Sequence, residues 1–231
     1  KIIQYLNSTN FDIIVLQEVF DKSISNKFKN DLKIKYPYCL MPQKEGFTFK
    51  LSSGVMILSK YPLELIKHVV FDVSKKSDKG AQKGCSLVKI NINNKAIFLA
   101  GTHLDSKNNN SRSLQYQITN DEILKPYLTD SIPLLIAGDF NTDFKSSQYD
   151  SMMTSFKLKN FELNDDRPYT FDEFNTWNAK GYKAWIDFIF YQENKNIKVF
   201  NQYILRPVMK YKNAKMDLAD HYQIVIEAVI Y

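Results

Sequence analysis

The sequence predicts an α/β protein with layered sheets, and three patterns favour this class. Residues 11–19, 134–137 and 185–191 are apolar runs with the length of buried strands. Residues 1–10 and 112–128 carry apolar side chains at helical spacing. The two kinds of segment alternate along the chain, which is typical of folds that stack helices on sheets.

The first part of the chain is predicted to form a helix, a strand and a second helix. Residues 1–10 form the first helix, and the β-branched run 11–19 forms a buried strand that ends in Gln17 and Glu18. Asp21 can cap a helix that continues to about residue 35. The side chains expected on its inner face are Ile24, Phe28 and Leu32.

Several strands are expected in the middle of the chain, with a hairpin among them. The predicted strands are 53–60, 65–73, 85–92 and 95–104. A loop of Lys, Ser, Asp and Gly residues follows residue 73. Asn93 and Asn94 separate the last two strands, and a two-residue Asn connection is typical of a hairpin.

The second half continues the alternation. Residues 112–128 predict a helix with one apolar face, formed by Leu114, Ile118, Leu124 and Leu128. The further predicted elements are strand 134–137, helix 147–156, strand 185–191 with Asp187 inside it, and a closing strand that begins near residue 222. Residues 167–184 are aromatic and polar without a clear period, which predicts a long surface loop.

Length and composition indicate one domain, spanning residues 1–231, and a protein without a membrane-spanning segment. No apolar run approaches the roughly 20 residues that a membrane helix needs, and the first residues lack the apolar core of a signal peptide. We therefore expect a soluble protein, with a secreted or membrane-peripheral location both open. Cys39 and Cys85 could pair or stay free, and the oligomeric state is not predicted.

The net charge of +6 and the isoelectric point near 9.0 suit an anionic partner, such as nucleic acid or an acidic membrane surface. The lysines are nevertheless spread along the chain, so a solvated surface explains most of them. They include Lys29, Lys33, Lys35, Lys75, Lys76, Lys79, Lys83, Lys195, Lys198, Lys210, Lys212 and Lys215.

Polar residues suited to catalysis follow several of the apolar runs. The residues concerned are Glu18, His103, Asp139 with Asn141, the pair Asp220 and His221, and Asp187 within its own strand. A polar turn is the alternative explanation for Asp139 and Asn141, since both residue types form turns. Buried charge has to be paired or coordinated, however, so the recurrence of such residues at strand ends predicts one shared site.

The residue types favour metal-assisted hydrolysis of a phosphate ester. Carboxylate and amide oxygens suit Mg²⁺, with Mn²⁺ or Ca²⁺ as alternatives, whereas zinc would call for clustered Cys and His. His103 and His221 can exchange protons near neutral pH. The third histidine, His68, stands alone in a strand-like stretch and is interpreted as structural.

Five short motifs resemble those of the endonuclease/exonuclease/phosphatase superfamily, which has the DNase I-like fold. They are QEVFD, GTHL, GDFN, WIDFIF and ADHY, in that order along the chain. The stretches QEVFDKSISNKFKNDLKIKYPY, SSGVMILSKYPL and QKGCSLVKI are similar to the neutral and bacterial sphingomyelinases. The resemblance implies a four-layered α/β sandwich with two packed sheets, and a phosphodiesterase that acts on a sphingolipid or phospholipid, in the manner of a sphingomyelinase.

The resemblance also implies a role for each candidate residue. It matches Glu18 to a metal ligand, with Asp220 on the metal side, and His103 to a contact with the phosphate oxygens. It matches Asp139 and Asn141 to residues that position water and phosphate. It matches His221 to a general base oriented by Asp187; the sequence leaves open whether Asp139 or His221 takes the proton.

Three features depart from the pattern of the superfamily and keep other functions open. This sequence begins after the family's first strand, which carries an asparagine metal ligand, so the domain is expected to be truncated at its N-terminus. Trp185 stands where many members have Arg, and residues 206–217 are short and basic where bacterial sphingomyelinases have an aromatic hairpin. A nuclease acting on DNA or RNA is the alternative enzyme, and a catalytically inactive binding module is a third possibility.

Overall fold

The computed structural model describes residues 1–73 and 80–231. The predicted loop of Lys, Ser and Asp residues, with Lys75, Lys76 and Lys79, lies outside the described residues. The helices are α1 (Ile2–Ser8), α2 (Lys22–Leu32), α3 (Asn109–Thr119) and α4 (Ser147–Phe156), with a π-helical turn at Asn120–Leu124. None of the described helices is long and apolar enough to cross a membrane.

Fifteen strands are described. They are β1 (Ile13–Leu16), β2 (Tyr38–Leu40), β3 (Met56–Ser59), β4 (Leu63–Val70), β5 (Gly84–Ile92), β6 (Lys95–His103), β7 (Leu134–Asp139), β8 (Lys159–Asn160), β9 (Phe171–Asp172), β10 (Lys183–Ala184), β11 (Asp187–Tyr191), β12 (Ile197–Leu205), β13 (Val208–Tyr211), β14 (Ala214–Asp217) and β15 (Gln223–Ile230).

The described elements stack as helices, sheet, sheet and helices. Helices α1 and α2 cover an antiparallel sheet of order β1-β3-β2, with Leu6 and Leu32 packed against Met56 and Leu58. The other face of this sheet packs on a six-stranded sheet of order β4-β5-β6-β7-β11-β8, which α3 and α4 cover from outside. This arrangement confirms the predicted four-layered α/β sandwich of two sheets.

Helix α2 begins as predicted, but its buried face is rotated. The Asp21 side chain accepts a hydrogen bond from the Ile24 backbone N–H at 2.8 Å, which satisfies one free donor of the first turn. Ile24 is 48% exposed, so the prediction that it faces inward was wrong. Ser25, Phe28 and Leu32 form the buried stripe instead, at the i, i+3, i+7 spacing of one helix face.

The predicted helix 112–128 is instead an α-helix followed by a π-helical turn. Asn108 caps α3 by accepting from the Ser111 backbone N–H, so the helix begins at residue 109. The wider π turn at Asn120–Leu124 adds a residue and shifts the phase of the side chains. Within α3 the buried face contains Ser111, Gln115 and Tyr116, so Leu114 points outward and is 46% exposed. The predicted inward position of Leu114 was wrong.

The hairpin and the element that follows β7 agree with the sequence. Asn93 and Asn94 both have positive φ, of 49° and 68°, as a tight turn between antiparallel strands requires. Helix α4 has the predicted bounds. Both cysteines are free, which settles the open alternative between pairing and free thiols.

Residues 167–184 are more ordered than the predicted surface loop. The short strands β9 and β10 pair with each other, and Thr170 and Asp172 are fully buried. The Thr170 hydroxyl accepts from the backbone N–H groups of Ile186 and Asp187, both at 3.1 Å. The segment therefore fixes the start of β11, where Asp187 lies.

A cavity of about 1070 Å³ lies between β1 and β15. Ile14 and Leu16 line it from β1, and Ile224 and Ile226 line it from β15. In the described part of the chain, β15 pairs with β12 alone and β1 with β3 alone. Each strand thus presents an unpaired edge to the cavity.

Gly138 on β7 is required by the close approach of β6. A Cβ atom there would lie 2.0 Å from the Thr102 carbonyl oxygen. We expect Gly138→Ala to lower the free energy of unfolding by roughly 3 kcal/mol or more, because the backbone of a central strand has to move. Urea unfolding followed by circular dichroism measures this change.

Gly80→Ala is the matched control, because a Cβ at Gly80 meets no described heavy atom within 4 Å. We expect its free energy of unfolding to stay within about 0.5 kcal/mol of the wild type. Equal unfolding midpoints for the two variants would contradict the steric role of Gly138.

Candidate active site

Asp139 is the last residue of β7, which lies between β6 and β11 in the sheet. Its Cα partner on the parallel strand β6 is His103, and its partner on the antiparallel strand β11 is Asp187. The register of the sheet therefore brings together three residues that are far apart in sequence. His103 Nε2 lies 3.4 Å from Asp139 Oδ2, and all three side chains are buried.

His221 reaches this cluster from the loop before β15. Its Nδ1 donates to Asp187 Oδ2 at 2.8 Å, and its ring packs edge-on against Phe171 at a centroid distance of 5.1 Å. The neighbouring Tyr222 backbone N–H donates to the Thr170 carbonyl at 2.7 Å. The loop is thus held in place on both sides of the imidazole. The hydrogen bond to Asp187 holds a proton on Nδ1 and leaves Nε2 as the ring nitrogen that can exchange a proton.

Asn141 turns back towards Asp139 because its backbone has a positive φ of 49°. Its backbone N–H donates to Asp139 Oδ1 at 2.8 Å, and its Nδ2 donates to Asp139 Oδ2 at 3.1 Å. Nδ2 also lies 3.1 Å from the Leu104 carbonyl oxygen. Asn141 therefore orients the Asp139 carboxylate.

Lys83 is a member of the cluster that the sequence did not single out as a site residue. Its side chain is buried, with Nζ 3.0 Å from His103 Nε2 and 2.8 Å from the Leu104 carbonyl oxygen. A lysine just before a strand-like apolar run, in QKGCSLVKI, was the available signal. Its ammonium group places a positive charge beside Asp139 and His103.

Burial and the nearby charge of Asp187 raise the pKa of Asp139 to about 7, while His221 and Lys83 act in the opposite direction. Burial also disfavours the charged form of His221. The charge and hydrogen bond of Asp187, with further charges from Asp139 and Asp220, outweigh burial and raise the pKa of His221 to about 10. The cluster therefore holds protons more tightly than isolated side chains do.

Asp139, Asp187 and His221 could together hold a metal ion. One potential ligand atom of each lies within 4.8 Å of the others. Two carboxylates suit a hard divalent cation. Glu18 and Asp220, which the sequence assigned to the metal, are not part of this group, but both line the cavity that Asp139 and His221 also line.

Glu18 borders a second, smaller cavity of about 180 Å³. Phe20, Lys83 and Ser106 are among the other lining residues. Glu18 has a positive φ of 61°, and the Val19 backbone N–H that follows it donates to the Gly54 carbonyl. Glu18 is exposed, and it shares this cavity with Lys83, which contacts His103.

Trp185 and His68 have structural contacts. The Trp185 indole N–H donates to the Asp187 carbonyl at 2.8 Å, and its ring stacks on Phe188. His68 Nδ1 lies 2.9 Å from the Ser86 hydroxyl, and burial lowers the pKa of His68. Neither residue belongs to the three-residue group that could hold a metal.

Residues 1–221 match the model of the Endonuclease/Exonuclease/phosphatase family. The chain belongs to this family. Membership agrees with the resemblance that the five motifs indicated.

Similar curated proteins include bacterial sphingomyelinases and phospholipases. Sphingomyelinase C 2 of Leptospira interrogans serogroup Icterohaemorrhagiae serovar Lai (strain 56601) is 29% identical over 191 residues, which cover 74% of this chain and 30% of that protein. Phospholipase C of Staphylococcus aureus is 29% identical over 177 residues, which cover 68% of this chain and 52% of that protein. The chain thus spans about a third to a half of the length of these relatives.

Solved structures show the same fold. Beta toxin from Staphylococcus aureus superposes with a TM-score of 0.83 at 20% identity, covering 97% of this chain and 90% of that one. A beta toxin mutant with bound magnesium ions gives 0.79 at 20% identity, covering 100% and 90%. TDP2 from D. rerio, complexed with a single strand DNA product, gives 0.73 at 14% identity, covering 98% and 89%.

Proposed function

We propose that the chain is a metal-dependent phosphodiesterase that releases the phosphorylated head group of a sphingolipid or phospholipid, as a sphingomyelinase does. The contact of His221 with Asp187, beside Asp139 at the rim of the sheet, carries this proposal. The names of the relatives, sphingomyelinase C and phospholipase C, support the lipid substrate. The protein would then act at a membrane surface, as a secreted or peripheral protein.

His221 is the proposed general base. Asp187 holds Nδ1, so Nε2 is the ring nitrogen left to take a proton from water once it has lost its own. Asp139 is the alternative acceptor, because its pKa of about 7 lies near neutrality. His221 and Asp139 are coupled through their charges, so protonation of either one lowers the pKa of the other.

Lys83, His103 and Asn141 are proposed to bind the phosphate. The Lys83 ammonium group, which donates to His103 Nε2, and the Asn141 side-chain amide, which donates to Asp139, place two donors beside these residues. A phosphodiester gains negative charge on its oxygens in the transition state, so donors held in advance lower the barrier. Lys83 is an addition to the set that the sequence predicted.

Mg²⁺ is the proposed cofactor, with Mn²⁺ and Ca²⁺ as alternatives. Glu18, Asp139 and Asp187 offer carboxylates around one cavity, with Asp220 nearby, and such oxygen donors fit these hard cations. A bound divalent cation would offset the charge of the phosphate and lower the pKa of His221 towards neutrality.

A nuclease is the second candidate. The net charge of +6 favours an anionic polymer as much as an acidic lipid surface. The same fold also occurs in TDP2, solved with single strand DNA.

A substrate panel separates the two functions. With Mg²⁺ present, we expect release of phosphocholine from sphingomyelin in mixed micelles, and no nicking of plasmid DNA. EDTA should abolish turnover, and added Mg²⁺ should restore it, because carboxylates alone do not neutralise the phosphate. Phosphocholine release and agarose electrophoresis measure the two reactions.

Plasmid nicking without lipid turnover would replace the lipid proposal by the nuclease. Full activity in EDTA would exclude the metal-dependent mechanism. Ile34→Ala, at an exposed residue that lines neither cavity, serves as the control variant for protein quality in all assays.

A further inference from the structure

Two phenylalanines on one loop are wholly exposed. Phe47 and Phe49 have relative exposures of 107% and 105%, larger than any other apolar side chain described. They lie in residues 44–50, which we call the Phe loop. A large apolar side chain with no protein contact loses the free energy that burial would give, and two such side chains on one loop mark an interaction surface.

The Phe loop is attached firmly at both ends. The Glu45 backbone N–H donates to Gln82 Oε1, and Gln82 Nε2 donates to the Glu45 carbonyl, both at 2.8 Å. At the other end, the Leu51 backbone N–H donates to the Gly80 carbonyl at 2.8 Å, and Leu51 forms a bridge with Ala81. The loop thus presents the two phenyl rings from a fixed base.

The base of the Phe loop adjoins the candidate active site. Leu51 lines the small cavity together with Glu18 and Lys83. Lys83 in turn contacts His103 at 3.0 Å. A surface that bound Phe47 and Phe49 would therefore lie next to the opening through which a substrate approaches Glu18.

The charge around the Phe loop suits an anionic or zwitterionic surface. Lys44 and Lys50 flank the two phenylalanines; Lys50 Nζ lies 3.6 Å from Asp72 Oδ1 but stays 43% exposed, and the one acidic residue in the loop is Glu45. The chain as a whole carries a net charge of +6. Phenyl rings buried at the level of the head groups, with lysines beside them, are the composition of an interfacial anchor.

We propose that the Phe loop inserts Phe47 and Phe49 into the interfacial region of a phospholipid bilayer and so holds the active-site opening against the membrane. The inference deepens the proposed lipid hydrolysis and rests on it for its biological purpose. Bilayer binding itself requires no catalysis, so the two proposals can fail separately.

Vesicle sedimentation in EDTA tests the anchor without hydrolysis. The vesicles contain sphingomyelin, phosphatidylcholine and phosphatidylserine. We expect the wild type to sediment with them, and the double variant Phe47→Ala with Phe49→Ala to bind at least about tenfold more weakly, because two buried phenyl rings are lost. Ile34→Ala is the matched control, since Ile34 is 94% exposed and lies outside the Phe loop.

A fluorescent probe locates the inserted residue. In Phe49→Trp, vesicles should shift the emission to shorter wavelength, and brominated lipids should quench it; Ile34→Trp should show neither change. The double alanine variant should also hydrolyse a detergent-dispersed substrate at the wild-type rate but vesicle lipid more slowly.

Three results would overturn the anchor. They are absence of wild-type binding to the vesicles, equal binding of the wild type and the double variant, and a dimer in light scattering that the double variant abolishes. The last result would assign Phe47 and Phe49 to an interface between two copies of the chain. Vesicle binding through the Phe loop without turnover of any lipid would leave the anchor standing and refute the proposed hydrolase.

Discussion

His221→Ala is expected to reduce phosphodiester turnover by about 10²–10⁴-fold, the usual contribution of a positioned general base. The variant removes the only imidazole that is hydrogen-bonded to Asp187 among the described residues. The loop around it should persist, because the Tyr222 backbone N–H still bonds to the Thr170 carbonyl. Single-turnover hydrolysis measures the loss, and circular dichroism checks the fold.

His68→Ala is the control for the loss of a histidine, because His68 contacts Ser86 on β5. Its turnover should stay near that of the wild type once the folded fraction is taken into account. Asp187→Asn should lower turnover and shift the pH profile downward, since the Asp187 charge raises the pKa of His221. Turnover of His221→Ala near the wild-type rate would refute its assignment as the base.

The sequence predicted five of the six strands of the large sheet because their apolar side chains leave a plain pattern, whereas β8 has only two residues and was missed. Strand β7 is buried on both faces, so it appears as a continuous apolar run that ends at Asp139. The structure brings His103, Asp139, Asn141, Asp187 and His221 into one chain of contacts. Their catalytic roles stay predictions.

Contacts made through tertiary structure could not be obtained from the sequence. Lys83 looks like any other lysine until the pairing of β5 with β6 places it beside His103. Strand β12 was missed for a different reason: a bulge between Val199 and Asn201 breaks the alternation and leaves Phe200 52% exposed. The hairpin of β13 and β14 is mostly exposed, so it has no apolar pattern to detect.

Apolar spacing also gave the wrong buried face for two helices. Ile24 and Leu114 each fit an apolar helical stripe, yet both face solvent. The buried face of α2 contains Ser25 and that of α3 contains Ser111 and Gln115, so polar residues take positions that the apolar pattern gave to Ile24 and Leu114. The face that a helix buries depends on its packing partners, which a count of apolar spacing does not include.

Asp139→Asn is expected to lower turnover without lowering the free energy of unfolding of the metal-free protein. Turnover should fall by about 10³-fold, because the neutral amide can neither accept a proton nor help to hold a divalent cation. In the metal-free protein, however, burial of the Asp139 carboxylate is unfavourable, as its pKa of about 7 indicates. Removal of this charge should therefore leave the metal-free protein at least as stable at pH 8 as the wild type.

The pH dependence of unfolding gives the sharper test. The Asp139 pKa rises from 3.8 in the unfolded chain to about 7 in the folded one, so the folded state binds the proton more tightly. Its contribution to stability is present below pH 4 and is lost as the pH rises to about 7, at up to about 1.4 kcal/mol per pH unit. Urea unfolding in EDTA between pH 4 and pH 8 should show this slope in the wild type and a smaller one in Asp139→Asn. Parallel curves would mean that Asp139 is already ionised at low pH. A variant that is destabilised equally at pH 4 and at pH 8 would mean that the Asp139 carboxylate holds β7 and β11 together rather than serving the reaction.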